Sequence, residues 1–217
     1  MIIGGGVIGL CSAWYAVQKG FRVTILDRQV EGSASCSTGN AGMIVPSHFV
    51  PLAAPGMVAM GLKWMWNPES PFYIKPRLDS DLLEWSYRFW RASTTQHVKQ
   101  CSPVLRDLSF ASRRCFEELS ELWENDFGLV KKGLLMLCKT QQGLDEEAHF
   151  AGKANRLGVP AEVMDAQALS KLDPRITMDV LGGVYFPKDC HLSPDRFVGG
   201  LRKRLKEKGV TLSLIHI

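Results

Sequence analysis

The sequence predicts an α/β fold built on a parallel sheet with a glycine-rich first turn. Three observations carry that prediction. Met1-Ile2-Ile3 is a short apolar run that enters Gly4-Gly5-Gly6-Val7-Ile8-Gly9 directly. An uncharged, helix-compatible stretch follows and ends at Lys19-Gly20. Phe21-Arg22-Val23-Thr24-Ile25-Leu26-Asp27 then reads as a second strand closed by an acidic residue. Strand, glycine turn, helix, strand and acid, in that order, define a dinucleotide-binding, Rossmann-like unit.

Each part of that unit has a physical task. Gly4 allows the tight turn, Gly6 lets the backbone approach a pyrophosphate, and Gly9 lets the helix pack close to the strand. Val7 and Ile8 open the helix, whose first N–H groups and partial positive charge face the phosphates. Asp27 lies where a carboxylate can accept bonds from ribose hydroxyls, which argues for FAD or NAD over NADP. Arg28 follows it and extends the candidate contact.

The next segment, residues 28–56, is irregular and rich in Ser, Gly and Pro. A loop of that length is usually functional. Its Ser35-Cys36-Ser37-Thr38-Gly39-Asn40-Ala41-Gly42 run offers small residues and hydroxyls for close contact with a polyanion, or else forms a flexible surface loop. A helix is expected up to Trp66, then turns around Pro68, Pro71 and Pro76 with Phe72 and Tyr73. Another helix begins at Asp79 or Ser80, with Leu82, Leu83, Trp85, Ser86, Phe89 and Trp90 as an apolar face that packs. Residues 102–126 repeat the pattern through Leu105, Leu108, Ala111, Cys115, Leu119 and Leu122. Gly133–Cys138 reads as a buried strand, and 142–157 as a helix ended by Gly158. Asp165 caps a short helix to Leu172, and 182–187 is a further strand. Ser193-Pro194-Asp195 starts a helix, with Ser as N-cap and Pro at the first helical position. It runs to Lys208, and Val210-Thr211-Leu212 begins another strand.

Composition narrows the class. At 217 residues, with 46% apolar and 22% charged residues, the chain can bury a substantial core. Net charge is +4, and the basic runs Lys131-Lys132 and Arg202–Lys208 read as solvated faces rather than a nucleic-acid patch. The six cysteines lack zinc-ligand spacing, so no metal site is expected, and their scatter suits a reducing compartment. Residues 1–17 lack charge, but no basic region precedes them, which excludes a signal peptide, and no run is apolar enough to span a membrane. A parallel sheet of two or three strands leaves long edges unpaired, so the chain reads as the N-terminal part of something longer.

Ser37-Thr38-Gly39-Asn40-Ala41-Gly42, following the glycine unit, resembles the second flavin-contacting loop of the D-amino-acid oxidase superfamily. Ala13-Trp14-Tyr15, Leu52-Ala53-Ala54-Pro55-Gly56, Leu62-Lys63-Trp64-Met65 and Leu83-Glu84-Trp85 resemble, more narrowly, the FAD-dependent D-amino-acid dehydrogenase family. Gly183-Val184-Tyr185-Phe186-Pro187 through Ser193-Pro194-Asp195 is similar to the segment returning that family's chain to its FAD domain. The resemblance implies an FAD-binding domain formed by 1–56 and 183–217, interleaved with an incomplete α+β substrate domain at 57–182. It implies that Gly4, Gly6 and Gly9 face the FAD pyrophosphate and Asp27 the adenosine ribose. Ser37, Thr38, Asn40, Ala41 and Gly42 would follow the pyrophosphate and ribityl chain, with Met43 and Ile44 approaching the flavin. His48 is either a substrate-pocket residue or an ordinary surface histidine.

The implied reaction is oxidation of a D-amino acid or related amine to an imine, which then hydrolyses to a 2-oxo acid. Electrons pass to a quinone or another carrier. The flavin carries that chemistry, so no side-chain base is required, and the sequence has no nucleophile–base motif. A covalent flavin link through Cys36 or His48 is not expected. The resemblance places the protein in the cytoplasm; with Trp64, Trp66, Trp85 and Trp90 near Lys63 and Arg88, it also suggests peripheral contact at the inner face of the cell membrane. A carboxylate-clamping arginine and the later glycine motif of the family are missing. The tail Leu212–Ile217 is unlike family sequence, and is either a natural strand or foreign sequence. Three alternatives stay open: a flavoenzyme acting on glycine, sarcosine or hydroxyproline; an NAD-dependent dehydrogenase; and a non-catalytic fragment or subunit.

Overall fold

The glycine turn begins the fold. The computed structural model describes residues 1–28, 35–65, 77 and 79–214. In chain order the elements are β1 (Ile2–Ile3), α1 (Val7–Gln18), β2 (Thr24–Asp27), β3 (Met43–Ile44), α2 (Met57–Trp64), α3 (Ser80–Ala92), α4 (Thr95–Leu122), β4 (Leu134–Cys138), α5 (Gln141–Arg156), β5 (Glu162–Asp165), α6 (Ala166–Leu172), β6 (Gly182–Phe186), β7 (Cys190–His191), α7 (Pro194–Glu207) and β8 (Thr211–Leu214). They form two compact units. The first comprises Met1–Val45, Ser112–Leu135 and Pro187–Ile217; the second comprises Pro46–Ala111 and Met136–Phe186. Ser112–Leu135, assigned from the sequence to the insertion, thus packs with the segments that carry the glycine turn.

The first unit is built on a three-stranded parallel sheet of order β1-β2-β8. Ile2 pairs with Ile25 on one side of β2, and Ile25 with Leu212 on the other. Parallel strands need helical crossovers, and α1 supplies the one between β1 and β2. It buries Leu10, Ala13 and Trp14, the i, i+3, i+4 stripe of a helix lying on a sheet. Gly20, at φ +83°, stops it in the left-handed conformation. Helix α7 buries Phe197, Val198, Leu201 and Leu205 at the same spacing, and Gly209 ends it at φ +78°. Trp14, Trp123, Phe127 and Phe197 fill the centre, with Trp14 and Trp123 edge-to-face at 5.1 Å. Each such buried ring contributes about 1.5–3 kcal/mol from apolar burial. Strand β3 pairs antiparallel with β7, Met43 opposite His191 and Ile44 opposite Cys190.

The second unit contains a three-stranded sheet with β6 between β4 and β5. Helix α5 buries Ala151 and Ala154 in a cluster with Phe49, Val159, Val184 and Phe186. Small residues on that helix face allow close approach to the sheet. Thr140 caps α5 by accepting from the Gly143 N–H at 3.1 Å, and Asp165 caps α6 through the Ala168 N–H at 2.7 Å.

Several elements depart from the sequence reading. Helix α4 starts at Thr95, about two turns before the expected start, and accommodates Pro103 within the helix at the loss of one backbone bond. Strand β4 buries Cys138, whereas Met136 and Leu137 are substantially exposed, so it is not the buried strand its composition suggested. Strand β5 had no clear sequence signal. Ser193 occupies the N-cap of α7 but makes no side-chain capping bond; its N–H donates to the Phe127 carbonyl instead. Helix α3 has no buried residue, and Leu83, Trp85 and Trp90 are exposed, contrary to the packing expected of them. Trp66, the proline turns and residues 215–217 lie outside the described residues. Among the described residues, no helix is long and apolar enough to cross a membrane.

Candidate functional site

The glycine turn, the end of β2 and the serine loop meet in the first unit. Gly4 leaves β1 with φ +100°, a conformation costly to any residue with a Cβ. Its N–H donates to the Leu26 carbonyl at 2.8 Å, extending the β1–β2 ladder into the turn. A Cβ on Gly9 would collide with the Gly4 carbonyl oxygen, so the close packing of helix on turn requires glycine there. Helix α1 opens on Gly6 without a side-chain cap. Its first-turn N–H groups therefore form an anion-receptive end.

Two side chains from elsewhere in the unit fasten this end. The Asp27 carboxylate accepts the Gly5 N–H at 2.9 Å. The Ser37 hydroxyl accepts the Val7 N–H at 3.0 Å, so the serine loop folds onto the helix N-terminus. Sequence spacing suggested ribose as the partner of Asp27; in the structure its Oδ2 holds the turn. Arg28, next to it, is exposed, as is Ile8 on the first turn of α1.

The loop also maintains itself. Thr38 Oγ1 donates to the Ser35 carbonyl at 3.2 Å. Asn40 Nδ2 donates to the Cys36 and Ser37 carbonyls at 2.8 and 3.1 Å, and its Oδ1 accepts the Gly42 N–H at 2.7 Å. The Asn40 amide is thus committed to loop geometry, and Ala41 beside it is exposed. Gly42 is buried, and its carbonyl accepts the Leu192 N–H at 2.9 Å, tying the loop to β7. Along β3 the side chains alternate: Met43 is exposed, whereas Ile44 is buried in the core and can meet a ligand only through its backbone. His48 belongs to the second unit; it is exposed, and its Nδ1 lies 3.0 Å from the hydroxyl of buried Ser47.

One basic residue at this site was missed from the sequence. Arg202 Nη2 donates to the Gly5 carbonyl at 2.9 Å. It stands in the Arg202–Lys208 run read as a solvated face, yet Arg204 bonds Asp126 at 2.6 Å and lies over the Trp123 ring at 4.5 Å, and Lys208 covers Trp14. The available signal was position: Arg202 is one turn beyond the apolar Val198 and next to Leu201.

The cysteines in this unit do not form a reactive centre. Burial, and then the neighbouring Cys115, push the Cys11 thiol up from 9.0 to about 11. Burial also raises Tyr15, reinforced by a bond to Cys115, and raises Cys190. Cys36, in the serine loop, is the exposed thiol among the six. Among the described residues, no group of three or more His, Cys, Asp or Glu side chains is placed to hold a metal ion.

A parallel sheet whose glycine turn opens a helix on a glycine N-cap, with an acid at the end of the next strand, defines a dinucleotide-binding α/β protein. The family model of FAD dependent oxidoreductases, the DAO family, matches residues 1–214, and the chain belongs to that family. FAD is accordingly its cofactor. Among solved structures, the chain is similar to glycine oxidase from Geobacillus kaustophilus, with TM-score 0.67 and 20% identity over 98% of this chain and 45% of that one. It is also similar to L-proline dehydrogenase from P. horikoshii, with TM-score 0.59 and 17% identity over 98% and 42%. A third is L-alpha-glycerophosphate oxidase from Mycoplasma pneumoniae with FAD bound, with TM-score 0.60 and 13% identity over 98% and 43%. The chain spans less than half the length of these structures, and at such identities the likeness is one of fold.

Proposed function

We propose that the first unit holds FAD for a D-amino-acid dehydrogenase-type oxidoreductase, and that the second contributes to its substrate domain. The observation that carries this reading is the closure of the Ser37 loop on the start of α1, beside Asp27. The residues suit the group. Gly4, Gly6, Val7, Ile8 and Gly9 would border the pyrophosphate; Asp27 and Arg28 the adenosine ribose; Ser37, Thr38, Asn40, Ala41 and Gly42 the linking chain; Met43 and the Ile44 backbone the flavin. The open face of Gly4, where a Cβ would meet no protein atom within 4 Å, and the close approach at Gly9 support that assignment. When bound, FAD supplies the hydride acceptor; this chain binds and orients it.

The proposed substrate is a D-amino acid or related amine, oxidised to an imine that water converts to the 2-oxo acid, with a quinone or other carrier as final acceptor. His48 is proposed as a pocket residue. The exposed Trp64, Trp85 and Trp90 beside Lys63 and Arg88 support a peripheral membrane contact. A second reading, oxidation of glycine or a secondary amine, is favoured by the likeness to glycine oxidases from Geobacillus kaustophilus and Bacillus cereus.

The test is titration of the purified chain with FAD, followed by flavin fluorescence and visible spectrum. Saturable quenching with a structured spectrum is the expected result; absence of binding by a folded chain overturns the assignment of the site. Anaerobic bleaching by D-alanine or D-proline, but not glycine or sarcosine, favours the dehydrogenase reading, and the reverse favours the second.

A further inference from the structure

We infer that Arg202 is a positioning residue for the FAD pyrophosphate. This deepens the proposed cofactor site and rests on that reading. The glycine turn presents its N–H groups correctly only if the peptide planes around Gly5 are fixed. Glycine backbone is permissive, so a run of three glycines does not fix them by itself. In this chain Gly5 is held at both of its polar backbone atoms. Its N–H donates to Asp27 Oδ2 at 2.9 Å, and its carbonyl accepts Arg202 Nη2 at 2.9 Å. An acid from the end of β2 and a base from α7 clamp the second glycine of the motif from opposite ends of the sequence.

The clamp has a directional consequence. With the Gly5 carbonyl drawn to a guanidinium, the Gly5–Gly6 peptide is oriented, because carbonyl and N–H of one peptide point in opposite directions. The Gly6 N–H is thereby directed away from Arg202. The guanidinium is also permanently charged, so it adds positive potential beside a site that must take two phosphate charges. Its Nε is buried and has no hydrogen-bond partner among the described residues. A buried guanidinium N–H without an acceptor carries a desolvation cost, which the charge-assisted bond to the Gly5 carbonyl offsets in part.

Two variants of the full chain test the inference: Arg202→Met, which keeps the apolar stem, and Arg202→Lys, which keeps the charge. FAD affinity is read by fluorescence quenching, and backbone order by amide hydrogen exchange of the segment containing Gly5–Gly9 in the FAD-free chain. Arg202→Met is expected to weaken FAD binding about 10- to 100-fold, the scale of a lost charge-assisted bond. Exchange in that segment should rise while exchange in β6 and α5 stays unchanged. Methylguanidinium should restore part of the lost affinity, and Arg202→Lys should fall between the two; a merely structural role predicts neither. Unchanged FAD affinity in Arg202→Met, beside a wild-type chain that binds, overturns the inference alone. A folded wild-type chain that fails to bind FAD overturns the underlying site as well. Unchanged exchange at Gly5–Gly9 overturns the clamp, whatever the affinity.

Discussion

Helices α1 and α3 are nearly equal in length, at 12 and 13 residues, and both carry tryptophan and tyrosine. Their surroundings are opposite. Helix α1 has no charged residue and buries Leu10, Ala13 and Trp14 against sheet and aromatic neighbours. Helix α3 carries Asp81, Glu84, Arg88 and Arg91, pairs Glu84 with Arg88 on its surface, and buries nothing. A groove between α2 and α3 is lined by Met57, Leu62, Met65, Trp85 and Phe89, yet Leu62 and Trp85 remain exposed. The aromatic content of a helix therefore does not decide its burial here. What decides it is whether a sheet stands beneath it. The first helix is fastened at its N-terminus by Ser37, whereas α3 holds its large side chains toward solvent.

The contrast can be pressed hardest at Gly9. Gly9→Val drives side-chain atoms into the Gly4 carbonyl, and loss of stability of about 4 kcal/mol or more is expected, with FAD binding abolished. Urea unfolding and flavin titration check it; a variant of wild-type stability would show the close approach to be dispensable. Trp14→Ala comes next, at about 3–5 kcal/mol, because it empties the centre of the first unit.

A pH series follows in size. The folded Cys11 thiol keeps its proton up to about pH 11, whereas the ordinary value is 9.0, so the folded state holds the extra proton between them. That contribution is complete below pH 9.0 and is lost as pH rises toward 11, by about 2–3 kcal/mol. Cys11→Ala should flatten this part of the profile in urea midpoints. Ser37→Ala, which leaves the Val7 N–H without its acceptor, should cost about 1 kcal/mol and weaken FAD binding. The smallest effect belongs to α3: Trp90→Ser should alter stability by no more than about 0.5 kcal/mol while reducing retention on anionic vesicles. Unfolding by Trp90→Ser would erase the contrast between the helices.

Most of the first unit was legible because local chemistry and global fold agree there. Three glycines, an uncharged helix and a terminal acid leave few alternatives, and β1, α1 and β2 fall where that pattern puts them. The Ser37 loop was only half legible: its small residues and hydroxyls suited either a polyanion or a free surface loop, and only the tertiary fold brings Ser37 to the Val7 N–H. Arg202 was not legible, because a basic residue in a basic run looks solvated, and only the tertiary path of α7 brings it to Gly5. The faces of α3 and β4 were misread because apolar periodicity reports which side could be buried, not whether anything lies there. The early start of α4 at Thr95 was not legible because the apolar pattern begins only at Leu105, and Pro103 sits inside the helix that precedes it.

The pairing of β2 with β8 has a consequence for how the chain comes into being. Thr24 pairs with Thr211 and Leu26 with Ser213, so the central strand of the sheet waits for a partner far along the sequence. The glycine turn is likewise 197 residues from its clamp on α7. The later block of the second unit, Met136–Phe186, has its sheet contacts close at hand in sequence. Loop-closure entropy makes the distant pairing slow. A nascent chain stalled before α7 would thus expose an unclamped glycine turn and an open strand edge to the cell's quality control.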